Sequence, residues 1–271
     1  MIAFLFWLAV LVYGVSAGVV IHNYLRVQKQ PSVLAWWLVV LGCVLLGGIF
    51  AHRVLAAGGM LIMDLATSLE LVALVVGILY VIGWRLRRVE TRSMGVLILP
   101  LIFILLVVSK LFPAGGEDLR YLYDPLLVTH LVLSLLAYGL FSMAFVLALL
   151  SSFQERALRA KRFDKFFDIM PPLDSIEEIL FFCVGWGFIL LTLSIISGAF
   201  FSKQQSGFYF QFSHKVVFSW VTWLLFGTLL LGRKLYGWRG RKAVRLTGFG
   251  YLCIVLAYFG VKFVTEVFLS K

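Results

Sequence analysis

Residues 123–150 read YDPLLVTHLVLSLLAYGLFSMAFVLALL. After Pro125 the stretch is apolar for longer than the ~20 residues that carry a helix across hydrocarbon. It is interrupted near its start by one histidine, His130. Proline is disfavoured in a helix interior and fits a break before a helix, so the helix is expected to begin just after Pro125. Lipid offers no partners to a bare backbone, which makes such a run a membrane helix. A β-barrel strand would alternate apolar and polar residues, and this run does not.

Seven further runs of the same kind follow from the sequence. Spans are expected at 2–22, 33–52, 62–84, 94–112, 126–152, 176–200, 213–233 and 246–269. The chain has 271 residues, of which 62% are hydrophobic and 14% charged, too apolar for a soluble core with a polar shell. The expected fold is an all-α polytopic membrane protein, a bundle of about eight transmembrane helices. All of 1–271 is expected to form a single integral membrane domain. The N-terminal run MIAFLFWLAVLVYGVSAGVVIHNYL lacks a charged leader and a small-residue cleavage site and reads as a retained first span.

Charge orders the loops. NYLRVQKQPS, WRLRRVETRS, QERALRAKRFDKFFD and RKLYGWRGRKAVR follow spans 1, 3, 5 and 7 and are rich in Arg and Lys. The intervening loops HRVLAAGGMLIMD, KLFPAGGEDLRYLYDP and SKQQSGFYFQFSHK are poorer in them. The positive-inside rule then places the basic loops in the cytoplasm and both termini on the outer face of the membrane. The net charge of +11 reads as this loop bias, facing membrane lipid, rather than as a nucleic-acid surface. The segment 153–175 reads either as a solvated extension of span 5 or as a helix lying on the leaflet. Cys43, Cys183 and Cys253 sit in apolar runs with no CxxC or CxxCH, so covalent haem attachment and zinc knuckles are not expected.

With this orientation His52, His130 and His214 fall at the outer ends of spans 2, 5 and 7, and His22 at the cytoplasmic end of span 1. Neutral imidazoles are ligands for iron, copper or zinc, and two can hold a haem from both sides. They are equally at home in the interfacial zone, as are Tyr121, Tyr123, Trp220 and Trp223. Lys110 and Lys215 stand at the same rim, where haem propionates or lipid headgroups would meet them. Asp64 and Glu70 lie about 9 Å apart along span 3. Glu70 should be buried, with Arg53 or a neighbouring histidine as partner and either a structural or a proton-handling role. Lys262 and Glu266 can pair at i,i+4. Gly14, Ala17 and Gly18 in span 1, and Gly42, Gly47 and Gly48 in span 2, suit close helix packing. No phosphate loop, HExxH or GxSxG occurs, so no enzymatic chemistry is indicated and a hydrolase or NTPase is not expected.

The stretch THLVLSLLAYGLFSMAFVLALLSSFQERALRAKR (129–162) resembles the histidine-bearing helix of the cytochrome c assembly protein family, which includes CcsA and CcmC. HKVVFSWVTWLLFGTLLLGRKLYGWRGRKAVRLTGFGYLCIVLAYFGVKFV (214–264) resembles the end of the same family. GWRGRKA, YFGVKF and, more weakly, FAHRVL are most similar to its YpjD-like and HemX-like inner-membrane branch. The resemblance implies a haem-binding protein with non-covalent haem b near the outer face and His130 as an axial ligand. In haem-handling members a tryptophan-rich segment ending in Trp-Asp-Pro-Lys-Glu-Thr-Trp forms the haem platform. Here FYFQFSHKVVFSWVTW (208–223) occupies that place; Lys215 and WVTW correspond, the tryptophan-rich part is replaced, and the tail VTEVFLSK has no second histidine. The expected cofactor-binding residues are His130, His214, His52, Lys215 and Trp220, with His130 and His214 on the iron. The competing expectation is a non-catalytic partner or regulatory subunit. It would serve a haem-pathway protein, in HemX-like control of haem synthesis, or a membrane transporter.

Overall fold

The computed structural model describes residues 2–25, 33–59, 61–62, 64–86, 94–112, 118–119, 124–160, 172–209 and 214–257. Its helices are α1 (Ile2–Leu25), α2 (Val33–Ala56), α3 (Leu65–Arg85), α4 (Gly95–Ser109), α5 (Pro125–Arg159), α6 (Leu173–Ser206), α7 (His214–Tyr236) and α8 (Arg241–Val255). Among the described residues six helices, α1, α2, α3, α5, α6 and α7, are long and apolar enough to cross a membrane. The protein is an all-α polytopic membrane protein. One short ladder joins the connections: β1 (Leu61–Ile62) pairs antiparallel with β2 (Asp118–Leu119).

The helix starts follow their sequence signals. Asp64 precedes α3 and its carboxylate accepts from the Thr67 N–H at 2.6 Å. The expected first turn of span 3 is therefore shorter, and Asp64 acts as its cap rather than as a residue inside the span. Asp124 caps α5 in the same way, accepting from Leu126 N–H at 2.8 Å, with Pro125 in the first helical position. Helices α5 and α6 run 35 and 34 residues, longer than expected from their apolar cores. The additional turns of α5, up to Arg159, are its polar extension; 161–171 lie outside the described residues. Helix α8 begins at Arg241, five residues earlier than expected.

Packing sets the order. Helices α5 and α6 form the tightest pair, with α8 against α5, α7 against both α6 and α8, and α3 joining α5 to the α1–α2–α4 group. In lipid the apolar exterior gives no hydrophobic gain, so close fit and internal hydrogen bonds hold such pairs. Tyr13 of α1 is fully buried, and a Cβ on Gly42 would stand 2.6 Å from its ring, so the glycine admits it. Its hydroxyl lies 3.2 Å from Cys43 Sγ. Gly14 meets Phe103 in the same manner. Gly18, Gly47 and Gly48 meet nothing that a Cβ would touch, so the expectation of close packing holds for Gly14 and Gly42 and not for these three. At the level of α5, α6 and α7, the Phe141 and Phe226 rings stack at 4.1 Å between centroids.

Candidate functional site

One end of the bundle carries the C-terminus of α2 and the N-termini of α3, α5 and α7, and with them His52, His130 and His214. His22, on α1, lies at the other end. The three histidines thus share one end, as expected from the spans. Tyr121, Tyr123, Lys262 and Glu266 lie outside the described residues, as does the side chain of His214.

His130 stands on the second turn of α5 and is half-buried against α6. Its Nδ1 is 2.8 Å from the Ser194 carbonyl oxygen and 3.2 Å from Ser194 Oγ. Ser134, one turn further along α5, donates to the His130 carbonyl at 2.7 Å and touches Ser194 Oγ at 2.6 Å. The ring reaches this depth because Gly198 has no side chain: a Cβ there would be 2.9 Å from both Cε1 and Nδ1 of His130. Ser134, Ser194 and Gly198 were not singled out from the sequence. Ser194 and Gly198 at i,i+4 make a small-xxx-small face, the signal that marks such an approach.

The rest of the neighbourhood follows from the stacked phenylalanines. His130 lies eleven positions before Phe141 on α5, and Lys215 eleven positions before Phe226 on α7. Eleven residues are three turns and about 16 Å of rise, so along two helices that both start at this end the residues stand at comparable height. Lys215 is exposed. Trp223, further in, donates from Nε1 to Thr192 Oγ1 at 2.9 Å and stacks on Phe188 at 5.4 Å. Trp220 is half-exposed and meets Trp223 edge-on at 5.9 Å. His52 is exposed, on the side of α2 away from Phe50 and Val54, which pack on Leu71 together with Leu131. Among the described residues no three His, Cys, Asp or Glu side chains converge as they would around a multi-ligand metal ion.

A second polar centre occupies the same end. Glu70, buried in α3, receives Arg53 Nη1 on Oε2 at 2.6 Å and Lys110 Nζ on Oε1 at 2.8 Å. The expected Arg53 partner is present. Lys110 is not a free rim lysine: its ammonium faces Glu70 and sits 3.7 Å above the Phe6 ring. The physical reason is that a buried carboxylate has four lone-pair positions, and one guanidinium contact leaves one oxygen bare. Arg53 and Lys110 thereby tie α2, α3 and α4 together.

At the opposite end the arginines and Asp174 are exposed, Glu155 is partly buried and Glu177 is buried. Arg159 and Arg241 share Glu155 at 2.7 and 3.1 Å, and Arg239 approaches Asp174 at 3.9 Å. Glu177 accepts from the Gly240 N–H at 2.7 Å, fixing the α7–α8 turn to α6.

The cytochrome c assembly protein family matches residues 62–269, from the β1 strand onward. Among relatives, the inner membrane protein YpjD of Escherichia coli (strain K12) is 33% identical over 183 residues, covering 66% of this chain and 68% of that protein. A 28.8 kDa protein of the nifR3-like 5' region in Azospirillum brasilense is 35% identical over 141 residues. There the aligned chain spans about half the length of each, 52%. The cytochrome c biogenesis protein CcsA of Pyropia yezoensis is 35% identical over 91 residues, 34% of this chain and 28% of that protein. Glu70, Lys110, His130, Ser194, Gly198 and Lys215 lie inside the matched segment, and His52 and Arg53 before it. The chain belongs to the cytochrome c assembly protein family.

Proposed function

We propose that this protein handles haem at the His130 end of the bundle, binding one haem b non-covalently with His130 Nε2 as an iron ligand. The observation that carries the reading is the hydrogen bond from His130 to a backbone carbonyl. A metal-binding histidine is typically oriented by a hydrogen bond from its other ring nitrogen. Here Nδ1 is engaged and Nε2 is left for a ligand, so the residue fits the group. When bound, haem would supply redox-active iron. The chain's own residues hold and orient the imidazole, place an ammonium at Lys215 for a propionate, and offer Trp220 and Trp223 as aromatic wall. His214, at the start of α7, would be the second residue to hold the iron.

In this reading 1–271 is one membrane domain in the bacterial inner membrane. Both termini and the haem end face the periplasm, because the Arg- and Lys-rich loops belong to the opposite end. Titrating haem into detergent-purified protein tests it. One equivalent should bind with bis-histidine bands, and His130→Ala and His214→Ala should each abolish them. Full haem with unchanged bands in both variants would refute the assignment.

A second reading rests on the replaced tryptophan-rich platform at 208–223. It makes the protein an accessory or regulatory subunit of a haem-pathway protein or a membrane transporter. Deletion should then deplete a co-purifying membrane protein while cytochromes stay normal. Cytochrome loss with unchanged partner levels would reject it.

A further inference from the structure

The hydrogen bonds around His130 fix which nitrogen carries its proton. Ser134 spends its only hydroxyl hydrogen on the His130 carbonyl, at 2.7 Å. The 2.6 Å contact between the two serines must therefore be donated by Ser194, which spends its hydrogen there. No hydroxyl hydrogen remains to point at Nδ1, and the nearest atom to Nδ1 is a carbonyl oxygen at 2.8 Å, which can only accept. The alternative tautomer would set a nitrogen lone pair against an oxygen lone pair in a partly buried place, at the cost of an unmade hydrogen bond.

We infer that Ser134, Ser194 and Gly198 are positioning residues that lock neutral His130 as the Nδ1–H tautomer, with the Nε2 lone pair permanently presented. This deepens the haem reading and rests on it for its purpose, but the lock itself exists without haem. Gly198 is the keystone. Its absent Cβ is what lets the ring reach the Ser194 carbonyl, since a methyl group would sit 2.9 Å from Nδ1 and Cε1. A glycine without this role would accept alanine, the better helix former, and leave the His130 tautomer unchanged.

The test is a long-range proton–nitrogen NMR spectrum of haem-free protein, labelled with 15N histidine, in detergent well above the ordinary histidine pKa of about 6.5. His130 is assigned by the signal lost in His130→Gln. Wild type should show His130 as the Nδ1–H form alone. Gly198→Ala should convert it to a mixture or to Nε2–H, and Ser134→Ala, a smaller change, should partly do so while the fold persists. A wild-type Nε2–H signal, or unchanged tautomers in both variants, would overturn the inference. The outcomes separate cleanly from the haem reading. A locked Nδ1–H form in a protein whose haem bands survive His130→Ala would leave the lock standing and remove the proposed ligand.

Discussion

Two polar centres share one end of this bundle, and they are built to opposite logic. Glu70 is a buried charge with both carboxylate oxygens filled, one by Arg53 and one by Lys110. His130 is an uncharged ring with one nitrogen committed to the Ser194 carbonyl and the other left over. The first centre is complete and joins three helices; the second has a nitrogen lone pair to spare. Capacity to bind lies in what the fold leaves unpaired, and a conspicuous buried carboxylate is a poorer guide to it than a modest histidine.

The contrast predicts that stability and ligand binding separate by residue. Glu70→Gln should cost the most stability, about 2–4 kcal/mol, because two cations lose their counter-charge in a partly buried place. Denaturant or thermal unfolding in detergent would show it, and a loss below about 0.5 kcal/mol would remove Glu70 as a strut. Lys110→Met should cost less, about 1–2 kcal/mol, since Arg53 still holds one oxygen and both cations reach solvent. His130→Ala should cost about 1 kcal/mol, one hydrogen bond to a carbonyl that Ser197 also contacts at 3.0 Å. Glu155→Gln, whose two arginine partners are exposed, should change stability by only a few tenths of a kcal/mol. For haem the order inverts: among these four, His130→Ala alone should abolish binding.

Much of this was legible in the sequence, for reasons that also mark where legibility stops. Each of the eight apolar runs carries a helix among the described residues, and six of these are of membrane-spanning length, because hydrocarbon thickness sets the length of a span and loops carry the charge. The Asp64 and Asp124 caps have sequence signals, yet Asp64 reads as a span residue until the helix start is known. Arg53 was a foreseeable partner of Glu70, close in sequence across one turn. Lys110 was not, since it arrives from α4 forty positions later. Likewise nothing local to His130 indicates Ser194, which lies 64 positions away. That contact depends on the register between α5 and α6, and register is a tertiary property. Only the small-residue spacing of Ser194 and Gly198 hints at it.

The most direct measurement of the central claim is a reduced-minus-oxidised visible spectrum of three purified proteins with equimolar haem: wild type, His130→Ala and Glu70→Gln. The account predicts sharp Soret and α-bands in wild type and in the folded fraction of Glu70→Gln, and none in His130→Ala. Bands that persist in His130→Ala, or that vanish in folded Glu70→Gln, would contradict it.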